Sequence, residues 1–299
     1  MVLPGTPASP LRVAIIGSGP AAFYTAEHLL KRDDLVVETD MFERLPTPFG
    51  LVRGGVAPDH QKIKSVAAAF DKVAAAPRFR LYGHVEFGKD VTLADLREHY
   101  HQIVYATGAQ TDRRMGIPGE DLRGSHPATE FVAWYNGHPD FQDLEFDLQQ
   151  ERVAVVGVGN VAVDVARILC RTPEELATTD IGDRALESLR QSRVKEVYML
   201  GRRGPAQAAF TNPEIKELGE LAGADIILLP EEVRLDDLSR AALERSQDRA
   251  AQKKVEILQE YAQRKPSGKG RRLILRFLVS PIELIGNAAG QVVGMRLVK

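Results

Sequence analysis

The chain has 299 residues, 44% of them hydrophobic and 27% charged, which fits soluble globular structure and leaves room for two domains of ordinary size. A net charge of −2 gives no global electrostatic case for nucleic acid, and a lone cysteine, Cys170, excludes an internal disulfide or a paired redox thiol. Residues 1–10 lack the basic and apolar segments of a secretory leader, and no apolar run approaches the ~20 residues needed to span a bilayer, so a cytoplasmic protein with no membrane partner is expected.

In chain order, Val13 to Ile16 reads as a buried strand, followed by the turn Gly17-Ser18-Gly19 and then by helical apolar spacing from Pro20 to Leu30. This is a strand–turn–helix phosphate cradle. Gly17 permits the tight turn, Gly19 admits a pyrophosphate close to the backbone, and Ala22 allows close helix–strand packing, while the helix N-terminus offers free N–H groups. Leu35 to Phe42 reads as the next strand and closes on Glu43, 26 residues past Gly17, where a carboxylate can accept hydrogen bonds from ribose hydroxyls. An exposed turn acid is the plainer alternative for Glu43.

Residues 45–60 are rich in proline and glycine and read as an ordered loop crossing a ligand. Helix is expected over 61–76 and 93–100, and strand over 80–87 and 103–107. The last strand runs into Gly108-Ala109, small residues that let a cofactor lie over the backbone. Gly116-Ile117-Pro118-Gly119 reads as a linker.

A second cradle follows: strand Val153–Val156, turn Gly157-Val158-Gly159, and a helix over 161–170 that ends at Cys170, read as a buried small hydrophobe. Residues 171–193 are expected to loop out before the strand Val197–Leu200. That strand closes not on an acid but on Gly201-Arg202-Arg203-Gly204. Guanidinium forks grip a phosphate with paired N–H donors, so this end is read as favouring NADP(H) over NAD(H). A solvated basic turn stays open as the alternative. A surface helix is expected over 236–263 and strands over 273–279 and 291–298, and Arg264, Lys265, Lys269, Arg271 and Arg272 form a basic cluster. His60 and Glu214 are ordinary on spacing alone: a loop histidine, and a glutamate at a helix start after Asn212-Pro213. The expected fold class is α/β, with two Rossmann-like, glutathione-reductase-type dinucleotide-binding domains: 1–109 for FAD and 110–299 for NADP.

Four segments carry a resemblance: Thr47-Pro48-Phe49-Gly50-Leu51-Val52-Arg53-Gly54-Gly55-Val56-Ala57-Pro58-Asp59-His60, residues 159–169, Gly201-Arg202-Arg203-Gly204-Pro205, and Ser280-Pro281-Ile282-Glu283. They resemble the adrenodoxin reductase-type ferredoxin–NADP(+) reductase family, in its actinobacterial ferredoxin/ferredoxin–NADP reductase form. The resemblance implies an FAD flavoprotein passing electrons from NADPH to a ferredoxin or similar iron–sulfur protein. It places Pro20, Ala21, Glu43, Leu51 and Val85 against FAD. It assigns Val158, Gly159, Asn160, Val161, Arg202, Arg203 and Glu214 to NADP, with Arg113 as a further candidate. It sets His60 and Glu214 near the nicotinamide, as the candidate catalytic residues that affect the flavin reaction; no resident metal is expected. Members of that family continue past the point where Lys299 stands here, so the chain reads as truncated at its C-terminus and its FAD domain as incomplete. A non-catalytic NADP(H)-binding remnant is the rival expectation.

Overall fold

A computed structural model describes residues 3–109 and 111–299. They divide into two compact units, Met1–Val56 with His60–Asp112, and Ala57–Asp59 with Arg113–Lys299.

The first unit is built on a four-stranded parallel sheet in the order β3-β2-β1-β4. Strand β1 (Leu11–Ile16) leads into helix α1 (Pro20–Leu30) and then β2 (Val37–Glu43). The fully buried run Val13–Ile16 is what a central parallel strand covered on both faces requires. The expected loop over 45–60 contains a single helical turn, α2 (Leu51–Gly54). The helix expected over 61–76 is broken into α3 (Gln61–Lys64) and α4 (Ala67–Ala74). Phe70 on α4 stacks on Phe23 of α1 at 4.9 Å between ring centroids, and Phe49 closes on both rings, so this aromatic group fixes the pitch of the broken segment. Strand β3 (Phe79–Gly83) ends earlier than expected. Helix α5 (Leu93–His99), closed by a Thr92–Asp95 capping box, precedes β4 (Gln102–Tyr105).

In the second unit, α6 (Ala128–Tyr135) precedes β5 (Arg152–Val156) and α7 (Asn160–Cys170). Residues 171–193 do not loop out. They form α8 (Pro173–Leu176) and α9 (Asp183–Arg190), whose Leu176, Ala185 and Leu189 enter the same core as Ile168 and Cys170. The physical reason is amphipathicity: a helix with an apolar stripe gains by burying it. Cys170 is wholly buried as expected, and burial pushes its thiol up to about 12.

After β6 (Glu196–Leu200) come α10 (Asn212–Leu218), β7 (Ala224–Leu228), and α11 (Pro230–Val233). The helix expected over 236–263 is split into α12 (Asp237–Ser246) and α13 (Arg249–Tyr261) by Gln247 in the left-handed region and by the N-cap Asp248. Helix α12 buries nothing, whereas α13 buries Val255, Ile257, Leu258 and Tyr261. Strand β8 (Arg271–Arg276) inserts between β6 and β7, giving the parallel order β5-β6-β8-β7. Strands β9 (Ser280–Gly286) and β10 (Val292–Val298) form a separate antiparallel ribbon. No helix among the described residues is long and apolar enough to cross a membrane.

The loop before β8 is latched by Asp225 of β7. Its carboxylate accepts from the Ser267 hydroxyl at 2.7 Å and from the Gly268 and Lys269 N–H groups at 2.9 and 3.0 Å. The Ser267 hydroxyl foremost, then the loop N–H groups, hold this carboxyl down to about 2 against the opposing effect of burial. A folded-state value below the unfolded one of about 3.9 means that the latch stabilises fully above that pH and fades as pH falls toward 2. Asp225→Asn is expected to cost about 1–2 kcal/mol at pH 7 in urea unfolding, with the gap to the unmodified chain closing by pH 2.

Candidate functional site

The first unit carries a cradle at the end of β1. A Cβ at Gly17 would meet the Ala106 carbonyl oxygen at 2.5 Å, and its φ of +98° is one that side chains resist, so no other residue fits this turn. Gly19 N-caps α1 and has open space where a side chain would stand. Helix α1 has no side-chain cap, and with the Phe23 N–H donating to Gly19 O at 3.1 Å the Ala21 and Ala22 N–H groups are left for another acceptor. Glu43 turns onto the turn itself. One carboxylate oxygen accepts from the Ser18 N–H at 3.1 Å and hydroxyl at 2.7 Å, and the other accepts from the Leu45 N–H at 2.9 Å.

Other expected residues gather at the same place. Gly50 packs on Gly19, and the Phe49 N–H donates to Ser18 O at 2.9 Å, which carries Leu51 to the turn with its side chain 62% exposed. The Val85 N–H donates to Glu43 O at 2.9 Å, placing Val85 at the end of β2. Gly108 follows β4 with open space around it. His60 heads α3, its carbonyl accepting from Ile63 and Lys64.

The second unit repeats the design after β5. Gly157 donates to Leu200 O at 2.9 Å, Gly159 N-caps α7 with open space beside it, and α7 again has no side-chain cap. Asn160 accepts from the Thr211 N–H at 3.0 Å, and Val158 O accepts from the Ala209 and Phe210 N–H groups. Val161, an apolar residue in the first turn of α7, is 54% exposed. Arg202 and Arg203 at the end of β6 are exposed, and among the described residues neither guanidinium has a hydrogen-bond or ion-pair partner. Arg113 is exposed as well, and no hydrogen bond among the described residues ties it to the second turn.

Glu214, on α10, is almost wholly buried and accepts from Arg167 at 3.3 Å. Sequence reasoning missed this Arg167, which has no exposed surface. Its guanidinium forks onto Asp59 at 2.7 and 3.0 Å and donates to Asp164 at 2.8 Å. Arg171 adds a third bond to Asp59 at 2.7 Å. Burial alone would loosen the Arg167 proton, but Asp59 and Asp164 hold it more tightly than usual. The signal was present: Asp164 and Arg167 stand three apart in a helix that is apolar after Asn160 but for these two, a spacing that brings them to one face.

Four of the five members of the basic cluster near residue 264, all but the exposed Lys265, are spent internally. Arg264 stacks on Tyr261 and donates to Gly219 O, Lys269 to Leu221 O, Arg271 to Val194 O and Arg171 O, and Arg272 to Glu196.

A family profile, Pyridine nucleotide-disulphide oxidoreductase, matches residues 11–201, well over half of the chain and inclusive of both turns. The chain belongs to this family. It is 50% identical over 282 residues to the NADPH-ferredoxin reductase FprA of Mycobacterium tuberculosis (strain CDC 1551 / Oshkosh), covering 93% of this chain and 61% of that one. It is 44% identical over 295 residues to the human mitochondrial NADPH:adrenodoxin oxidoreductase, covering 96% and 59%. The solved structure of Mycobacterium tuberculosis FprA in complex with NADPH superposes with a TM-score of 0.88 at 46% identity, covering 96% of this chain and 67% of that one. The chain thus spans about three-fifths of the length of the curated relatives it matches.

Arg167→Leu would strand Asp59, Asp164 and Glu214 without their shared cation. It is expected to destabilise the second unit by about 3–5 kcal/mol at neutral pH. The penalty should shrink as pH falls from 7 toward 5, because buried carboxylates left without their cation take up protons above their ordinary range. Urea midpoints of the variant at pH 7 and pH 5 measure both effects.

Proposed function

We propose that the chain is an NADPH-dependent flavoprotein reductase, passing electrons from NADPH through FAD to a ferredoxin-type iron–sulfur protein in the cytoplasm. One observation carries the reading: two capless helix N-termini of the same design are flanked by opposite charge. The carboxylate of Glu43 lies on the first turn, and the unpaired guanidinium groups of Arg202 and Arg203 follow the strand beside the second. A carboxylate suits a ribose diol and repels phosphate, whereas an arginine pair suits a 2′-phosphate.

The donor set in the first unit fits an FAD pyrophosphate. The space at Gly19 and the uncapped N–H groups of α1 would take the phosphates, and Glu43 has acceptor capacity left for ribose hydroxyls. Leu51 and Val85 offer apolar contact near it. In the second unit Gly159, Asn160 and Val161 would hold the NADP pyrophosphate, and Arg202 and Arg203 the 2′-phosphate. This assigns residues 1–109 to flavin binding and 110–299 to NADP binding, with His60 and Glu214 toward the nicotinamide. Bound FAD would supply exchange of electron pairs with NADPH and of single electrons with the iron–sulfur partner. The protein's own contribution is binding, orientation and charge. The likeness to the mycobacterial NADPH-ferredoxin reductase and the human adrenodoxin oxidoreductase supports the acceptor class.

The purified 299-residue chain is expected to be yellow, with a flavin spectrum released on denaturation; a colourless chain that binds NADPH would favour the non-catalytic alternative. Replacing Arg202 and Arg203 by alanine is expected to weaken NADPH binding tenfold or more, roughly, and to leave NADH binding unchanged. Equal losses for both nucleotides would remove the phosphate assignment.

A further inference from the structure

Arg202 and Arg203 sit on a loop with no side-chain partner of their own, so their aim depends on the backbone beneath them. That backbone is bonded to the end of β8. The Gly201 N–H donates to Arg276 O at 2.8 Å, the Val279 N–H donates to Gly201 O at 3.1 Å, and the Leu278 N–H donates to Arg203 O at 3.3 Å. The fit leaves no slack: a Cβ at Gly201 would meet Val158 Cγ1 at 2.8 Å and the Phe277 ring at 3.2 Å. Leu278 adopts a φ of +58°, a left-handed conformation that costs a branched side chain energy and persists only when its surroundings enforce it.

Glu232 of α11 supplies that enforcement. Its side chain has no exposed surface. It accepts from Arg276 Nε at 3.0 Å, Arg276 Nη2 at 2.8 Å and the Phe277 N–H at 2.9 Å. The residues on either side of the Arg276–Phe277 peptide are thereby clamped by one buried carboxylate. Arg276 O takes the Gly201 N–H, and Leu278 takes up the strained turn. Burial pushes the Glu232 carboxyl up, but Arg276 and the Phe277 N–H together hold it below its ordinary value, so it stays charged at neutral pH.

We propose that Glu232 is a positioning residue for 2′-phosphate recognition: through Arg276 and Phe277 it presets the Gly201–Gly204 loop so that Arg202 and Arg203 converge on one phosphate. This rests on the assignment of that loop to NADP. Glu232 never touches the nucleotide, so its loss should reduce discrimination rather than dinucleotide binding in general.

The test is calorimetric titration of the 299-residue chain with 2′,5′-ADP and with ADP, comparing the unmodified protein, Glu232→Gln, and Arg276→Met, which breaks the clamp from its other side. The unmodified chain should prefer 2′,5′-ADP. In both variants that preference should fall by roughly tenfold, while ADP affinity moves by no more than about twofold. Hydrogen exchange should quicken at the Gly201 and Leu278 amides. A folded Glu232→Gln chain with the full preference overturns the proposal; should that variant not fold, an unchanged preference in Arg276→Met overturns it equally. If the unmodified chain shows no preference, the NADP assignment falls first and this inference falls with it.

Discussion

The second unit is organised around a cation that water cannot reach. A guanidinium without exposed surface is tolerable only when carboxylates satisfy it, and Arg167 has Asp59, Asp164 and Glu214 within hydrogen-bonding distance. The ligands come from three places in the sequence: the segment Ala57–Asp59, the first turns of α7 and the start of α10. Because Arg167 sits on α7, the cluster sets the roll of that helix, and α7 begins at the second glycine turn. The buried hydroxyl of Tyr135 makes no hydrogen bond among the described residues. Burial first, and then the charge of Asp164, keep it protonated far above its ordinary range. It is a neutral boundary to a charged cluster.

The two glycine-turn cradles share their backbone logic and differ in how their charges are held. Glu43 is anchored before any ligand arrives, because Ser18 and Leu45 donate to it. Arg202 and Arg203 are not anchored at their side chains. Order there has to come from below, through the strained β8 end and its bonds to the loop. An anchored acid and a pair of arginines placed by their backbone are two routes to the same end, a polar group whose direction is fixed in advance.

Much of this was legible in the sequence. Short β-branched runs ending in Gly-x-Gly placed both turns, and the charge after the next strand distinguished them. What was missed was non-local. Strand β7 (Ala224–Leu228) is only five residues of apolar pattern, and its place outside β8 depends on a crossover that no periodicity encodes. The division of 236–263 depends on one left-handed residue, Gln247, which composition does not announce. Residues 171–193 read as an excursion between helix and strand, although Leu176, Ala185 and Leu189 form an apolar stripe that signalled core. Nothing in the sequence singles out Glu232. Its role appears only when β8 is brought alongside β6.

Charge was the least transparent quantity of all. Arg264, Lys265, Lys269, Arg271 and Arg272 form a dense basic stretch and would be the natural choice for an anionic partner. In the fold all of them but Lys265 brace carbonyl oxygens, a tyrosine ring or acids. A basic group whose donors are already occupied by the protein has little left to offer a ligand, and pulling it away would leave those carbonyls unsatisfied. Arg202 and Arg203 are fewer and sit in a less basic stretch, yet nothing in the described residues compensates them. The basic groups fit for an anion are those that folding leaves unpaired, and that property belongs to the packed chain rather than to the count of arginines along it.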